Sequence, residues 1–230
     1  MRHHMFSRQL GMLAIAVALA LVVSAVSAQA QTDSGTPSPD DPCLAAQAAD
    51  SPGSESTPGA EEHDMAMDIE FDLMFIDTMT PHHQEAADMA QVALNRSTNE
   101  EVRQLAEAII AAQTAEIEQM AEWRVEWYPE APQMSDDQTM QMMEDVGMMS
   151  MESGDMLAEL CDEETVDVTF LELMIPHHES AIAMAEAALT EAEHDELREL
   201  AEVIVETQSA EITLMRDLLA GLTGTPTAQG

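Results

Sequence analysis

From about Met67 onward, apolar residues recur at three- and four-residue steps. Phe71, Phe75, Met79, His82, Ala86, Met89 and Ala93 share one face of a helix on this spacing. Val102, Leu105, Ala106, Ile109, Gln113, Glu116, Ile117 and Met120 mark one face of a second helix. Thr98 and Glu101 have capping-box spacing at its start. The turn near Ser97 is short, which predicts antiparallel packing of the two helices. Pro81 lies inside the first stripe, not at its start. The expectation is one continuous helix, kinked at the proline, with carbonyls freed one turn earlier.

The whole unit is written twice. Phe75 to Met120 aligns without a gap with Phe170 to Met215 at a constant offset of 95, and 21 of 46 positions are identical. Met79-Thr80-Pro81-His82-His83 returns as Met174-Ile175-Pro176-His177-His178, and Met89-Ala90 returns as Met184-Ala185. A repeat of this length means two like structural units. Two helical hairpins predict an all-α four-helix bundle. Trp123 and Trp127 extend the second helix, and Pro129 and Pro132 stop it. Ser135 and Gln138 form another capping box, opening a short helix through about Val146.

The predicted organisation is a signal peptide over 1–28, a disordered acidic linker over 29–64 and a first hairpin over 65–128. A Met-rich connection over 129–164, a second hairpin over 165–222 and a tail over 223–230 follow. Arg2 and Arg8 precede an apolar run from Leu10 to Val26, and Val26-Ser27-Ala28 fits a signal-peptidase site. The mature chain is thus expected to be secreted or periplasmic, without membrane insertion. In such an oxidising compartment, Cys43 and Cys161 are expected to pair.

Charge narrows the function. Seven basic residues stand against 45 Asp and Glu, for a net charge of −38. No basic face for nucleic acid can be assembled, whereas small cations are attracted. Aromatic residues are only 3% of the chain, and there are 20 methionines. The core is therefore aliphatic and rich in thioether.

With the turn near Ser97, facing positions sum to about 195. His82 then faces Gln113 and Met79 faces Glu116; His177 faces Gln208 and Met174 faces Glu211. His83 and His178 fall about 100° away, at the stripe's edge. Buried polar groups cost stability unless they are satisfied. Two readings account for them. One is a hydrogen-bond network fixing helix register, in a metal-free interaction or stress protein. The other is metal ligation by His82, His83, His177 and His178 with Met79, Met89, Met174 and Met184. Met120 and Met215, on the same faces, complete that set, and Glu116 and Glu211 orient ring N–H groups. Imidazole with thioether favours Cu(I), with Ag(I) as its mimic.

Two further clusters lie outside the repeat. His63, Met65 and Met67 alternate along an entry segment. Met134, Met140, Met142, Met143, Met148, Met149, Met151 and Met156 crowd the connection, either as a greasy cap over one bundle end or as a solvent-accessible segment that collects soft metal. No nucleophile elbow or glycine-rich phosphate loop occurs, so no enzyme is expected. A ferritin-like di-metal redox protein is a third reading. Its Glu-x-x-His pattern is absent, because the positions three before the four histidines are Met79, Thr80, Met174 and Ile175.

FDLMFIDTMTPHHQEAADMAQVAL at 71–94, VTFLELMIPHHESAIAMAEAAL at 168–189 and QxxEIxxM at 113–120 and 208–215 resemble the CopM-like family of domain of unknown function 305. The resemblance covers roughly 65–220. It implies a ferritin-like bundle, usually exported, with copper binding and resistance in at least one member. Copper ions, and with them other exported copper-handling proteins, are the expected partners. Carried over, the His pairs and Met79, Met89, Met174 and Met184 are the ligands. Ser180 stands where the second copy commonly has Gly, and Gln84-Glu85 stands for the usual Glu-Gly, which bears on packing and metal selectivity.

Overall fold

A computed structural model describes residues 42–43, 70–135, 138–139, 141–142, 153–162 and 166–224. Among these residues there are five helices of ten residues or more and no strand: α1 Phe71–Arg96, α2 Glu100–Trp127, α3 Ser153–Asp162, α4 Val166–Glu191 and α5 Asp195–Thr223. No described helix is long and apolar enough to cross a membrane. The signal segment, the linker, the His63–Met67 segment and most of the Met-rich connection lie outside the described residues.

The repeat builds the fold as expected. α1 packs along α2 and α4 along α5, and the two hairpins meet chiefly through α1 and α4. α1 runs unbroken through Pro81, and α4 through Pro176. Turns of three residues leave each hairpin no geometry but antiparallel. The first turn corrects one expectation. Asn99, not Thr98, caps α2, accepting from the backbone N–H of Glu101 and Val102. An Asn side chain reaches these orphan donors directly, so no Glu is needed to complete a box. The Ser135–Gln138 box does form, with Gln138 N–H donating to Ser135 Oγ at 3.3 Å and Ser135 N–H to Gln138 Oε1 at 3.0 Å. Gly224 ends α5 at φ 69°, the left-handed conformation that favours glycine.

Two apolar clusters fill the interior, and the repeat relates one to the other. In the first, Met89, Ala93, Leu105 and Ile109 of the first hairpin meet Phe170, Met174 and Met215 of the second. The second cluster joins Phe75, Met79 and Met120 to Met184, Ala188 and Ile204. The start of α1 therefore lies against the end of α4, and the reverse. The ends are closed differently. Met156 and Leu160 of α3 are buried in the first cluster, alongside Cys43, which is disulfide-bonded to Cys161. At the other end Trp123 stacks on Trp127, and Trp127 on His194 at 3.8 Å.

A single buried carboxylate ties that second end together. Asp72, fully buried, accepts from the backbone N–H of Glu193 and of His194, each at 2.9 Å, and from His194 Nδ1 at 2.6 Å. It thus caps the α4–α5 turn from the opposite hairpin. Asp72→Ala would orphan two backbone donors and the ring. The expected loss is about 3 kcal/mol of unfolding free energy, read by urea denaturation. A variant within 0.5 kcal/mol of wild type, a margin typical of neutral surface changes and taken as roughly the limit of significance, would contradict this role.

Candidate metal centre

Between the two apolar clusters lies one polar layer. Its residues come from all four long helices because each repeat places His-His at mid-length of the helix that faces the other hairpin. The rings of His82 and His177 meet across α1 and α4 with centroids 3.8 Å apart. His82 is 2% exposed, His177 1%, and His83 and His178 are fully buried. The second histidine of each pair points back into its own hairpin. His83 Nε2 lies 2.7 Å from Glu116 Oε2, and His178 Nε2 lies 2.9 Å from Glu211 Oε2.

This geometry corrects the expected register. Glu116 and Glu211 reach His83 and His178. His83 and His178 are interior, not at the edge of the stripe. The physical reason is that α1 and α4 are each covered on two sides, by their hairpin partner and by one another. A helix so placed buries two stripes, and periodicity within one hairpin reveals only one.

Glu85 and Ser180 complete the layer. They occupy matched positions of the repeat, three residues beyond His82 and His177, and so lie on the same helix face. Each crosses to the other half. His82 Nε2 lies 2.9 Å from Ser180 Oγ, and His177 Nε2 lies 3.4 Å from Glu85 Oε2. The second contact is an ion-pair distance without hydrogen-bond alignment, since His177 Nε2 and Glu85 Oε1 remain unpartnered. The one-turn spacing from the histidines was the signal for these two residues.

The thioethers divide between the clusters above and below. Met79, Met120 and Met184 share one, and Met89, Met174 and Met215 share the other. Each cluster therefore takes two of these sulfurs from one hairpin and one from the other. His63, Met65 and Met67 lie outside the described residues.

Many polar atoms of the layer have no partner. The Nδ1 atoms of all four histidines are buried and unpaired, as are both amide atoms of Gln113 and of Gln208. Among the described residues, no three His, Cys, Asp or Glu side chains converge as a cage for a metal ion. A cation here would depend on neutral imidazole and thioether. The chemistry of that donor set suits a soft d10 ion and not a hard one.

Burial also disfavours protonation of His82 and His177. Desolvation holds His82 well below the usual histidine range, helped by the neighbouring His177, His83 and His178. Desolvation lowers His177 as well, partly opposed by the Glu85 carboxylate. The unfolded chain therefore binds protons at these sites more readily than the folded one. Their contribution to stability is complete above about pH 6.5 and is lost as pH falls below it. Metal-free wild type is expected to lose stability between pH 7.5 and 5.5 relative to a His82→Leu, His177→Leu, Glu85→Leu variant, compared by urea midpoints. Equal pH dependence in the two proteins would count against neutral buried rings.

Comparison with known proteins agrees with this fold. The model of the family described as domain of unknown function DUF305 matches residues 72–219. The chain belongs to the DUF305 family. Among solved structures, CopM in its Cu(I)-bound form is 34% identical with a TM-score of 0.55, covering 66% of this chain and 96% of CopM. CopM is also known in Cu(II)-bound and Ag-bound forms, at 35% and 34% identity. A DUF305 protein of Streptomyces coelicolor, described as a putative secreted protein, is 31% identical with a TM-score of 0.60, covering 70% of this chain and 98% of its own. No curated protein matches.

Proposed function

We propose that this DUF305 protein is an exported copper carrier or store, not an enzyme, and that it takes Cu(I), or Ag(I) as its mimic, through histidine and methionine in the bundle interior. The observation that carries this reading is the set of four buried Nδ1 atoms without partners. A network evolved only to fix register would satisfy its polar atoms, because each orphan costs about 1–3 kcal/mol. CopM binds copper and silver on a fold like this one, which supports the same cargo here. Neutral rings offer lone pairs without first losing a proton, and thioethers need no deprotonation. The strong negative charge of the chain raises the local cation concentration. In this reading copper is cargo, passed to or from other exported copper-handling proteins.

The bonds of His83 to Glu116 and His178 to Glu211 also suit the metal-free structural reading. A competition titration separates the two. Metal-free protein is given Cu(I) under ascorbate, a non-thiol reductant that spares the disulfide, against a chromogenic Cu(I) chelator. The protein is expected to withdraw copper from the chelator. Binding no tighter than that of a methionine-poor helical control would end the copper reading.

A further inference from the structure

The four histidines of the layer present the same ring edge to their protein partners. Glu116 and Glu211 are acceptors only, so His83 and His178 carry their proton on Nε2. The Ser180 hydroxyl donates to the His177 carbonyl oxygen at 2.7 Å. With its hydrogen committed there, Ser180 Oγ accepts from His82 Nε2–H at 2.9 Å. His177 Nε2 faces the Glu85 carboxylate at 3.4 Å. A lone pair at that place would be repelled, so it too carries the proton. Every Nδ1 is then a bare lone pair, buried and unpartnered.

We propose that Nδ1 is the metal-ligating atom of these histidines, and that Ser180 and Glu85 are positioning residues that set His82 and His177 in the required tautomer. Ligating histidines generally hold their other N–H against a carboxylate or carbonyl, which fixes ring and tautomer. Here the within-hairpin pairs use Glu116 and Glu211. The between-hairpin pair uses Glu85 and Ser180, which occupy one matched position of the repeat but differ in chemistry. Ligation through Nε2 would require breaking the contacts to Glu116, Glu211 and Ser180. The proposal rests on the copper-binding reading.

Long-range nitrogen–proton NMR on the full chain labelled with 15N-histidine tests it. The metal-free protein is expected to show Nε2–H tautomers at all four histidines. On titration with Ag(I), which is diamagnetic, the coordination shift should fall on Nδ1. Protons on Nδ1 in the metal-free protein, or a coordination shift on Nε2, would overturn this proposal while leaving copper binding intact. Failure to bind Ag(I) at all would overturn both. Ser180→Ala should erase the protected Nε2–H signal of His82 alone and weaken Ag(I) binding roughly 10-fold; Ser180→Thr should retain both. A purely structural Ser180 would lower stability without changing the His82 nitrogen signature or the affinity.

Discussion

Replacing His82, His177 and Glu85 together with leucine is expected to lower Ag(I) and Cu(I) affinity by at least about 100-fold and to leave the metal-free bundle as stable as wild type or more so. The affinity estimate follows because loss of even an outer partner costs roughly 10- to 100-fold, and here two ligands go. The stability estimate follows from burial. Three polar side chains sit at or below 8% exposure with Nδ1 of both rings and Glu85 Oε1 unsatisfied. Apolar replacement of a buried charged cluster is often neutral or stabilising by about 1–4 kcal/mol. Ser180 keeps a partner in the His177 backbone carbonyl. Removing Glu85 with the rings avoids stranding a buried carboxylate. Urea unfolding and chelator competition on one sample read both quantities. The structural reading requires the opposite pair of results, lost stability with unchanged affinity. Intact affinity would instead move the ligands to the methionines of the connection.

The fold was legible because its instructions are local and stated twice. Periodicity over Phe71–Ala93 and Val102–Met120 gives helices, a short turn gives a hairpin, and the offset of 95 gives its partner. What crosses between the hairpins was not legible. Sequence periodicity says that a residue is buried but not against what. His83 therefore reads as peripheral, although α2 covers it, and periodicity offers Glu116 a histidine ring to orient without saying that the ring is that of His83. The same limit hid the reach of Glu85 to His177, the capping of the α4–α5 turn by Asp72, and the sorting of Met79 with Met184. The histidines themselves were found because polar residues repeated in an apolar stripe have few explanations. Their tautomers needed the positions of Ser180 and Glu85.

Opening the Cys43–Cys161 disulfide is expected to lower the unfolding free energy by about 4–5 kcal/mol. The bond spans a sequence separation of 118, and loop-closure entropy for about 100 residues gives a value of this size. About half of that separation is the first hairpin, so the crosslink restricts the unfolded chain far more than it strains any one contact. The loss should appear first at α3. Ten residues cannot hold a helix alone in water. α3 is kept by burial of Met156 and Leu160 and by Arg96, which donates to the carbonyls of Leu160 and Cys161 at 3.1 and 2.6 Å. Cys43 packs in that same cluster, so its release loosens the segment from a second side. In the same cluster as α3 lie Met89, Met174 and Met215, three of the seven methionines buried among the described residues. Hydrogen exchange on Cys43→Ser, Cys161→Ser protein should therefore show lost protection in α3 while α2 and the start of α1 stay protected. Ag(I) should also leave the variant faster, because the covered thioether cluster opens more often. An unchanged urea midpoint with unchanged protection in α3 would show that packing alone secures this end of the bundle.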